Sequence, residues 1–158
     1  MGSRSGSIDP GMMIYLLRQE GYSVEQLDTA LNKDSGLAGI SGSSDMRQVL
    51  QARKEGNERA ILAFDMYVHR LRFYIGAMLA MLGGLDALVF AGGVGENSAD
   101  VRANACEAFG FLGLALDPEK NAQSPADEHI SAADSTLPVL IIHTQEDWAI
   151  ARECWKLA

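Results

Sequence analysis

The chain has 158 residues, of which 47% are apolar and 22% charged, and it carries a net charge of −8. A chain of this length can bury roughly 70% of its unfolded surface, so it can form one globular domain or part of a larger one. Because the charge is negative and no basic run occurs, a general nucleic-acid or anionic-membrane partner is not expected.

No membrane-spanning or secretory segment is predicted. The most apolar stretch, residues 73–82, is shorter than the about 20 residues that a bilayer requires. The amino-terminal MGSRSGSIDP lacks the apolar core of a signal peptide. Cys106 and Cys154 have neither CxxC nor Cys/His spacing, which favours reduced intracellular thiols. We therefore expect a cytoplasmic protein.

The first half of the sequence predicts helices with clear start signals. Asp9 as N-cap and Pro10 in the first turn begin a helix that stops at Gly21. The sequence SVEQ, beginning at Ser23, is a capping-box pattern that starts a second helix, which runs to about residue 32.

A polar connection and two further helices follow. Residues 33–45, KDSGLAGISGSSD, predict a polar, glycine-rich connection, and a third helix is expected over residues 45–55. Steps of three and four residues then place seven apolar side chains on one face of a long helix, which we expect to be core scaffolding. The seven are Ile61, Phe64, Val68, Leu71, Ile75, Met78 and Leu82.

The second half alternates strand and helix signals. DALVFAGG (86–93) and LPVLIIHT (137–144) are short apolar runs typical of buried strands, and each precedes a helical pattern, 98–110 and 146–157. This order predicts parallel pairing in an α/β sheet. We expect residues 117–135 to form an exposed loop. The chain then has a helical part, about 9–83, and a strand-loop-helix part, about 85–158.

The segment FAGGVGENSADVR (90–102) is the first candidate site, because three glycines in four positions allow close approach of another group. A Walker A loop is excluded, since Gly95 is followed by Glu96 and Asn97 instead of lysine and Ser/Thr. A dinucleotide fingerprint lacks only its last glycine, with Asp117 as the acidic partner, and stays an alternative. So does a bare strand-to-helix corner that Asn97 or Ser98 caps.

Three more groups of polar residues are candidates. Glu146 and Asp147 begin a helix after the second strand, where they could cap the helix or hold magnesium bound to nucleotide phosphate. In a parallel sheet, this segment and the glycine-rich segment both lie at the carboxyl ends of the strands, where ligands bind. Arg4, among small residues, presents a planar donor fork suited to phosphate or carboxylate. Asp45 could cap the third helix, with Arg47 exposed on it.

Four segments, in chain order, resemble motifs of a known family. GSRSGSIDP (2–10) looks like Gly-Thr-Arg-Ser-Gly-Asp-x-Asp-Pro, and SSDMR (43–47) looks like an Asp-x-Arg nucleotide segment. AGGVGENSADVR (91–102) resembles Gly-Gly-Ile-Gly-Glu-Asn-Ser, and TQEDWAIARE (144–153) resembles Thr-Asn-Glu-Glu followed by Ile-Ala-Arg-Glu. These motifs are those of the carboxyl-terminal part of the acetate and propionate kinase family, and the resemblance covers essentially the whole chain.

The resemblance implies a partial ribonuclease-H-like domain of the actin, heat-shock 70 and sugar-kinase superfamily, with a helical insertion. It implies phosphoryl transfer between ATP and acetate, giving ADP and acetyl phosphate. Arg4 would stabilise charge on the transferring phosphoryl group, and Glu146 would bind Mg²⁺. The residues implied at the ADP site are Asp45, Met46, Arg47, Gly93, Val94, Gly95, Glu96 and Asn97.

The sequence also departs from the family pattern. Ser3 replaces a threonine, Ser7 replaces an aspartate near Arg4, and Gln145 and Asp147 vary the surroundings of Glu146. Family members are about twice as long or more, so we expect an amino-terminal domain to be missing and the chain alone to be inactive. A homodimer is implied by the resemblance. Propionate kinase and a non-catalytic nucleotide-binding fragment remain alternatives, because the carboxylate pocket is expected largely in the missing part.

Overall fold

The computed structural model describes residues 2–157, so residues 1 and 158 lie outside the described part. The chain divides into two compact units, Met1–Leu71 and Arg72–Ala158. The longest helix begins in the first unit and ends in the second. None of the helices formed by residues 2–157 combines the length and apolar character needed to cross a bilayer.

The first unit is helical, and its predicted caps are confirmed. Asp9 accepts a hydrogen bond from the Met12 N–H at 3.2 Å, and Ser23 and Gln26 form a reciprocal capping box. These local interactions set where the first two helices begin. The elements of this unit are α1 (Pro10–Arg18), α2 (Val24–Asn32), α3 (Gly36–Ser41), α4 (Met46–Lys54) and the first part of α5 (Glu58–Leu82).

The polar, glycine-rich connection predicted over residues 33–45 contains a helix that was not predicted, because α3 lies within it. The Gly2 carbonyl accepts a hydrogen bond from the Ala38 N–H at 2.8 Å, and the Ser3 carbonyl accepts one from the Ser35 N–H at 2.9 Å. These bonds satisfy donors at the start of α3 that a short isolated helix would leave open. Their acceptors are more than 30 residues away in sequence, so the local pattern does not show them.

The predicted core face of α5 is confirmed only at two positions of its first half, Phe64 and Val68, because Ile61 is 36% exposed. Phe64 and Val68 are buried, together with Ala60 and Ala63, and the Arg53 guanidinium stacks over the Phe64 ring at 4.4 Å. The remaining buried apolar residues of the first unit are Leu27, Leu37, Met46 and Val49. Towards the end of α5 the same face is open to solvent, with Met78 54% and Leu82 74% exposed, so the prediction of buried scaffolding is wrong there.

A three-stranded sheet organises the second unit. Strands β1 (Leu88–Phe90) and β3 (Val139–Ile141) pair in parallel, with Leu88 opposite Val139, which confirms the predicted pairing. Strand β2 (Glu128–His129) pairs antiparallel with the other edge of β3, so the order is β1-β3-β2. The parallel pair brings the carboxyl ends of β1 and β3 to one edge of the sheet.

The expectation of an exposed loop over residues 117–135 is also wrong. Asp117 caps α8 (Pro118–Gln123) by accepting from two backbone N–H groups, and β2 follows. Ile130 is fully buried, and its N–H donates to the Val139 carbonyl at 2.8 Å. The segment looks like a loop in the sequence because it is mostly polar. Only a few of its side chains, among them Ile130 and Asn121, are buried in the core.

The remaining elements of the second unit follow the two parallel strands. They are α6 (Gly92–Asn97), α7 (Ala99–Glu107), a 3₁₀ turn (Gly110–Leu112) and α9 (Glu146–Leu157). Ser98 separates α6 from α7 and accepts from the Val101 N–H at the start of α7. The buried apolar residues of this unit are Phe90, Val101, Ala105, Cys106, Phe109, Leu114, Ile130, Val139 and Ile141.

Candidate functional site

A cavity of about 570 Å³ lies in the second unit at the carboxyl ends of β1 and β3. The turn that leads into α6 forms one side, and the segment that leads into α9 forms the other. This is the edge at which ligands bind in open α/β sheets. The cavity is lined by Gly92, Gly93, Glu96, His143, Thr144, Gln145, Glu146, Asp147 and Trp148.

The glycine-rich segment is a short helix, and its glycines have different roles. Gly92 has φ +71°, a left-handed conformation that glycine adopts without strain. Gly93 has open space where a side chain would lie, and it borders the cavity. A Cβ on Gly95 would make an ordinary van der Waals contact with the backbone of Phe90 at 3.4 Å, so Gly95 faces β1 and not the cavity. Gly92 and Gly93 both leave room beside the cavity, and of these two only Gly93 could take a side chain without the strain of a positive φ.

Glu96 joins the two sides of the cavity. Its carboxylate accepts hydrogen bonds from the backbone N–H of Gly92 at 2.8 Å and of Thr144 at 2.9 Å. It also contacts the Thr144 hydroxyl, and its second oxygen lies 2.8 Å from Nδ1 of His143. These bonds, led by the Thr144 hydroxyl, lower the pKa of Glu96 from about 4.5 to about 2. Glu96 is therefore ionised at neutral pH.

Replacing Glu96 with glutamine is expected to lower the melting temperature at pH 7, because the amide supplies no charge to these donors. Since the folded state depresses the pKa, the carboxylate contributes its full stability above about pH 4.5 and loses it as the pH falls towards about 2. The difference in melting temperature between wild type and Glu96→Gln should therefore shrink across this window. Thermal melts from pH 7 to about pH 2.5 measure it.

Glu128→Gln, which changes an exposed carboxylate on β2 outside the cavity, is the matched control. It should leave the melting temperature at pH 7 unchanged. A wild-type to Glu96→Gln difference that stays constant down to the lowest pH would contradict the role given to the carboxylate.

The predicted residues Val94, Gly95 and Asn97 are not among the described residues that line the cavity. They hold α6 together instead. The Asn97 side chain donates to the Gly93 carbonyl at 2.9 Å, and the Val94 carbonyl accepts from the Ser98 N–H at 3.0 Å. Any contact these residues make with a ligand remains a prediction.

Arg102 fixes the far end of α6 and was not singled out from the sequence. Its side chain is fully buried and donates to the carbonyls of Gly95 at 2.7 Å and Glu96 at 2.9 Å. It also donates to Asn121 and to the hydroxyl of Ser124. The sequence does contain one indication that Arg102 is buried. The residues four and seven positions later, Cys106 and Phe109, are apolar and lie on the same face of the predicted helix as Arg102.

Glu146 and Asp147 are the first residues of α9, as predicted, and both line the cavity. Among residues 2–157, no hydrogen bond or ion pair engages either carboxylate, so their oxygens are open to a ligand. Mg²⁺ prefers oxygen donors and usually keeps several waters, so one or two carboxylates suffice. The donor set fits a magnesium ion, although no group of three or more metal-binding side chains occurs within the described chain.

The other predicted site residues belong to the first unit. Arg4 is exposed, and its Nε donates to Oδ1 of Asn32 at 3.2 Å. Its backbone is fixed on both sides, because the Ser5 N–H donates to the Leu31 carbonyl at 2.7 Å and the Ser3 carbonyl accepts from Ser35. The arginine fork is thus presented to solvent from a held backbone.

Asp45, Met46 and Arg47 form the start of α4. Asp45 caps the helix by accepting from the Arg47 N–H at 2.9 Å, and its carboxylate pairs with the Arg47 guanidinium at 2.6 Å. The guanidinium and then this N–H lower the pKa of Asp45. Arg47 is 89% exposed in its side chain, whereas Met46 is buried in the core. Any ligand contact by Met46 would therefore involve its backbone.

The structure does not support the dinucleotide-binding alternative, because the acidic residue that it requires, Asp117, has another role. Asp117 accepts from the N–H groups of Glu119 and Lys120 and thereby caps α8. The corner alternative is correct in one respect, since Ser98 caps α7, but the corner also borders the cavity.

Comparison with known proteins identifies the relatives of this chain. The acetokinase family profile matches residues 1–152. An acetate kinase of Nostoc sp. is 67% identical over 99% of this chain, which spans 39% of that relative's length. The matching part is the carboxyl-terminal part.

Solved structures agree with the sequence relatives. A propionate kinase from Francisella tularensis superposes with a TM-score of 0.88 at 39% identity, and an acetate kinase from Porphyromonas gingivalis superposes with 0.86 at 41%. Both matches cover 97% of this chain and 39% of the other. The predicted α/β fold of the actin, heat-shock 70 and sugar-kinase superfamily is confirmed.

Proposed function

The chain belongs to the acetokinase family, and on that premise we propose that it forms the nucleotide-binding part of an enzyme that transfers a phosphoryl group between ATP and acetate. The products are ADP and acetyl phosphate. Propionate is the alternative carboxylate, because the structural neighbours include a propionate kinase. Since the chain spans 39% of the length of its relatives, the remainder of the enzyme would supply the carboxylate pocket.

The observation that carries the proposal is the cavity at the carboxyl ends of β1 and β3. It combines a backbone without side chain at Gly93, two open carboxylates at Glu146 and Asp147, and the amino terminus of the 12-residue helix α9. A bare backbone allows close approach of a phosphate, and carboxylates hold magnesium bound to that phosphate. These are the groups that a magnesium nucleotide needs.

Each predicted residue has a defined task in this proposal. Gly93 and its neighbours in α6 border the ADP site, and Glu96 holds the two sides of the cavity at a fixed separation. Asp45, Met46 and Arg47, which lie in the first unit, are also assigned to nucleotide binding. When bound at Glu146, Mg²⁺ would neutralise charge on the nucleotide phosphates.

Arg4 is the residue we assign to the reacting phosphoryl group. Phosphoryl transfer proceeds through a loose transition state whose charge lies on the equatorial oxygens, so catalysis consists mainly of positioning and charge stabilisation. A planar guanidinium can donate to two of those oxygens at once. The fixed backbone of residues 3–5 would keep this fork aimed while the side chain exchanges Asn32 for the phosphoryl oxygens.

Three further features belong to the proposal. The complete enzyme would contain an amino-terminal domain, act in the cytoplasm and form a homodimer. This chain by itself would bind nucleotide and Mg²⁺ without turnover, because part of the catalytic machinery would lie in that other domain. A non-catalytic nucleotide-binding fragment is therefore the second candidate.

Gly93→Ala tests the nucleotide site without disturbing the fold. Apart from its chain neighbours and the backbone of α6 itself, no atom lies within 4 Å of the added methyl, and alanine suits a helix better than glycine, so the melting temperature should stay the same or rise. The methyl projects into the space that a phosphate would use. We expect at least about tenfold weaker ADP binding in the presence of Mg²⁺, or about 1.4 kcal/mol. Calorimetric titration of the chain measures this.

Gly84→Ala is the matched control, because Gly84 also has open space around its missing Cβ but does not line the cavity. It should bind ADP like the wild type. Gly92→Ala, at φ +71°, should by contrast lower the melting temperature. If Gly93→Ala binds ADP as tightly as Gly84→Ala, the nucleotide does not approach α6 and the proposed site is wrong.

A further inference from the structure

His143 is a wall residue of the cavity that is held from two sides. Its Nδ1 lies 2.8 Å from Oε2 of Glu96, and its backbone N–H donates to Oδ1 of Asp127 at 3.0 Å. Its side chain is nevertheless 58% exposed and faces the cavity. An exposed ring held in this way is pre-organised for a ligand, since its orientation costs little further entropy on binding.

The contact with Glu96 determines which ring nitrogen is left for a ligand. The depressed pKa of Glu96 keeps this carboxylate ionised, and an ionised carboxylate can only accept hydrogen bonds. Nδ1 of His143 must therefore carry a proton. Glu96 cannot readily turn away, because its other oxygen holds Gly92 and Thr144. Nε2 is the nitrogen that remains for the ligand.

The charges around the cavity give Nε2 a specific task. The wall carries three carboxylates, Glu96, Glu146 and Asp147, and among its described residues there is neither lysine nor arginine. His143 is thus the one side chain of the described wall that can become positive. A neutral ring would offer only an acceptor at Nε2, whereas a protonated ring donates from both nitrogens. A phosphate oxygen requires the donor.

We infer that His143 binds a phosphate of the nucleotide through Nε2 and takes up one proton from solvent when that phosphate binds. The inference rests on the proposed nucleotide function of the cavity. An anion beside the ring favours the imidazolium, so by linkage ADP should bind more tightly as the pH falls from 8 to 6. The other ionisable groups around the ring are the carboxylates of Glu96, Glu146 and Asp147, which line the same cavity, and that of Asp127, which accepts from the His143 backbone N–H.

Calorimetry of ADP binding with Mg²⁺, in buffers of different ionisation enthalpy, measures the proton uptake directly. For the wild-type chain we expect net uptake at pH 7 and several-fold tighter binding at pH 6 than at pH 8. His143→Gln should reduce both effects, which separates the ring from protonation of ADP itself. His129→Gln, on β2 outside the cavity, should behave like the wild type.

A second measurement does not depend on the folding of a variant. Carbon–proton NMR of the wild-type chain should show the His143 ring signals move on addition of ADP, while those of His129 stay fixed. ADP binding with the same proton uptake in wild type and His143→Gln, or with unmoved His143 signals, would overturn the assignment of His143 alone. If the wild-type chain binds no ADP at either pH, the nucleotide site itself is wrong, and the inference falls with it.

Discussion

Arg4→Ala is expected to reduce kcat by about 10³–10⁵-fold, the range by which arginines accelerate other phosphoryl-transfer enzymes. The measurement needs a complete enzyme, which a hybrid supplies when this chain replaces the matching 39% of the Nostoc sp. acetate kinase. Acetyl phosphate formed from ATP and acetate is detected as the hydroxamate. The 158-residue chain alone should give no turnover in the same assay.

The same substitution should leave the melting temperature unchanged. The guanidinium of Arg4 is exposed, and its hydrogen bond to Asn32 at 3.2 Å lies at the surface. Surface contacts of this kind contribute little to stability, typically within about 0.5 kcal/mol. A loss of turnover without a loss of stability would therefore separate a role in the reaction from a role in the fold.

Two variants sharpen the Arg4 experiment. Arg4→Lys keeps the positive charge but not the planar fork, so its kcat should lie between those of the wild type and Arg4→Ala. Arg18→Ala removes another exposed arginine of the first unit, at the end of α1, and should retain full activity. A decrease in kcat of less than about tenfold for Arg4→Ala would show that the arginine does not stabilise the transferring group.

Helix starts could be predicted from the sequence because their chemistry is local. The side chains of Asp9 and Ser23 bond N–H groups three residues away, so a short window contains the whole interaction. The parallel pairing of β1 and β3 was also predictable, since a helix between two apolar strands allows few other topologies. Because Gly93 follows β1 and Glu146 follows β3, the same pairing also predicted that these two residues lie at one edge of the sheet, where both line the cavity.

Elements that depend on distant partners could not be predicted. Helix α3 begins where the carbonyls of Gly2 and Ser3 accept from Ala38 and from the preceding Ser35, and β2 forms where β3 offers a free edge. In both cases the partner is too far away in sequence to appear in the short window over which hydrophobic periodicity is measured. The amphipathic pattern of α5 showed which side could be buried, but not that this side stays exposed near Leu82.

The hydrogen bonds inside the candidate site could not be predicted either, because they also join residues that are distant in sequence. Glu96 was predicted as a nucleotide contact, yet its hydrogen-bond partners belong to Gly92, His143 and Thr144, the last two 47 and 48 residues away. Sequence patterns identify carboxylates but not the donors that surround them. Whether Glu96 also meets a nucleotide stays a prediction.

Arg102→Ala is expected to destabilise the second unit by about 3–5 kcal/mol, because it leaves several buried acceptors without a donor. The guanidinium makes five hydrogen bonds of 2.7–2.9 Å, to Gly95, Glu96, Ser124 and both oxygens of Asn121. The melting temperature should fall by at least about 10 °C, as followed by circular dichroism.

Arg152→Ala is the control within the same unit. Arg152 is 53% exposed, pairs with Glu153 at 3.3 Å and stacks on Trp148 at 4.9 Å, so its loss should cost less than about 1 kcal/mol. Arg102→Ala melting at the temperature of Arg152→Ala would show that the buried hydrogen bonds are replaced by water or by rearrangement.

Arg102→Lys tests whether Arg102 also positions α6 beside the cavity. The carbonyls of Gly95 and Glu96 lie at the end of α6, where they lack partners within the helix, and Arg102 supplies both donors. A lysine keeps the charge but reaches fewer of the five acceptors, so α6 should be held less firmly even where the unit still folds. ADP affinity should then fall below that of Arg152→Ala at temperatures well under the melting transition. Unchanged affinity in a folded Arg102→Lys variant would mean that Arg102 stabilises the unit without positioning Gly93 and Glu96.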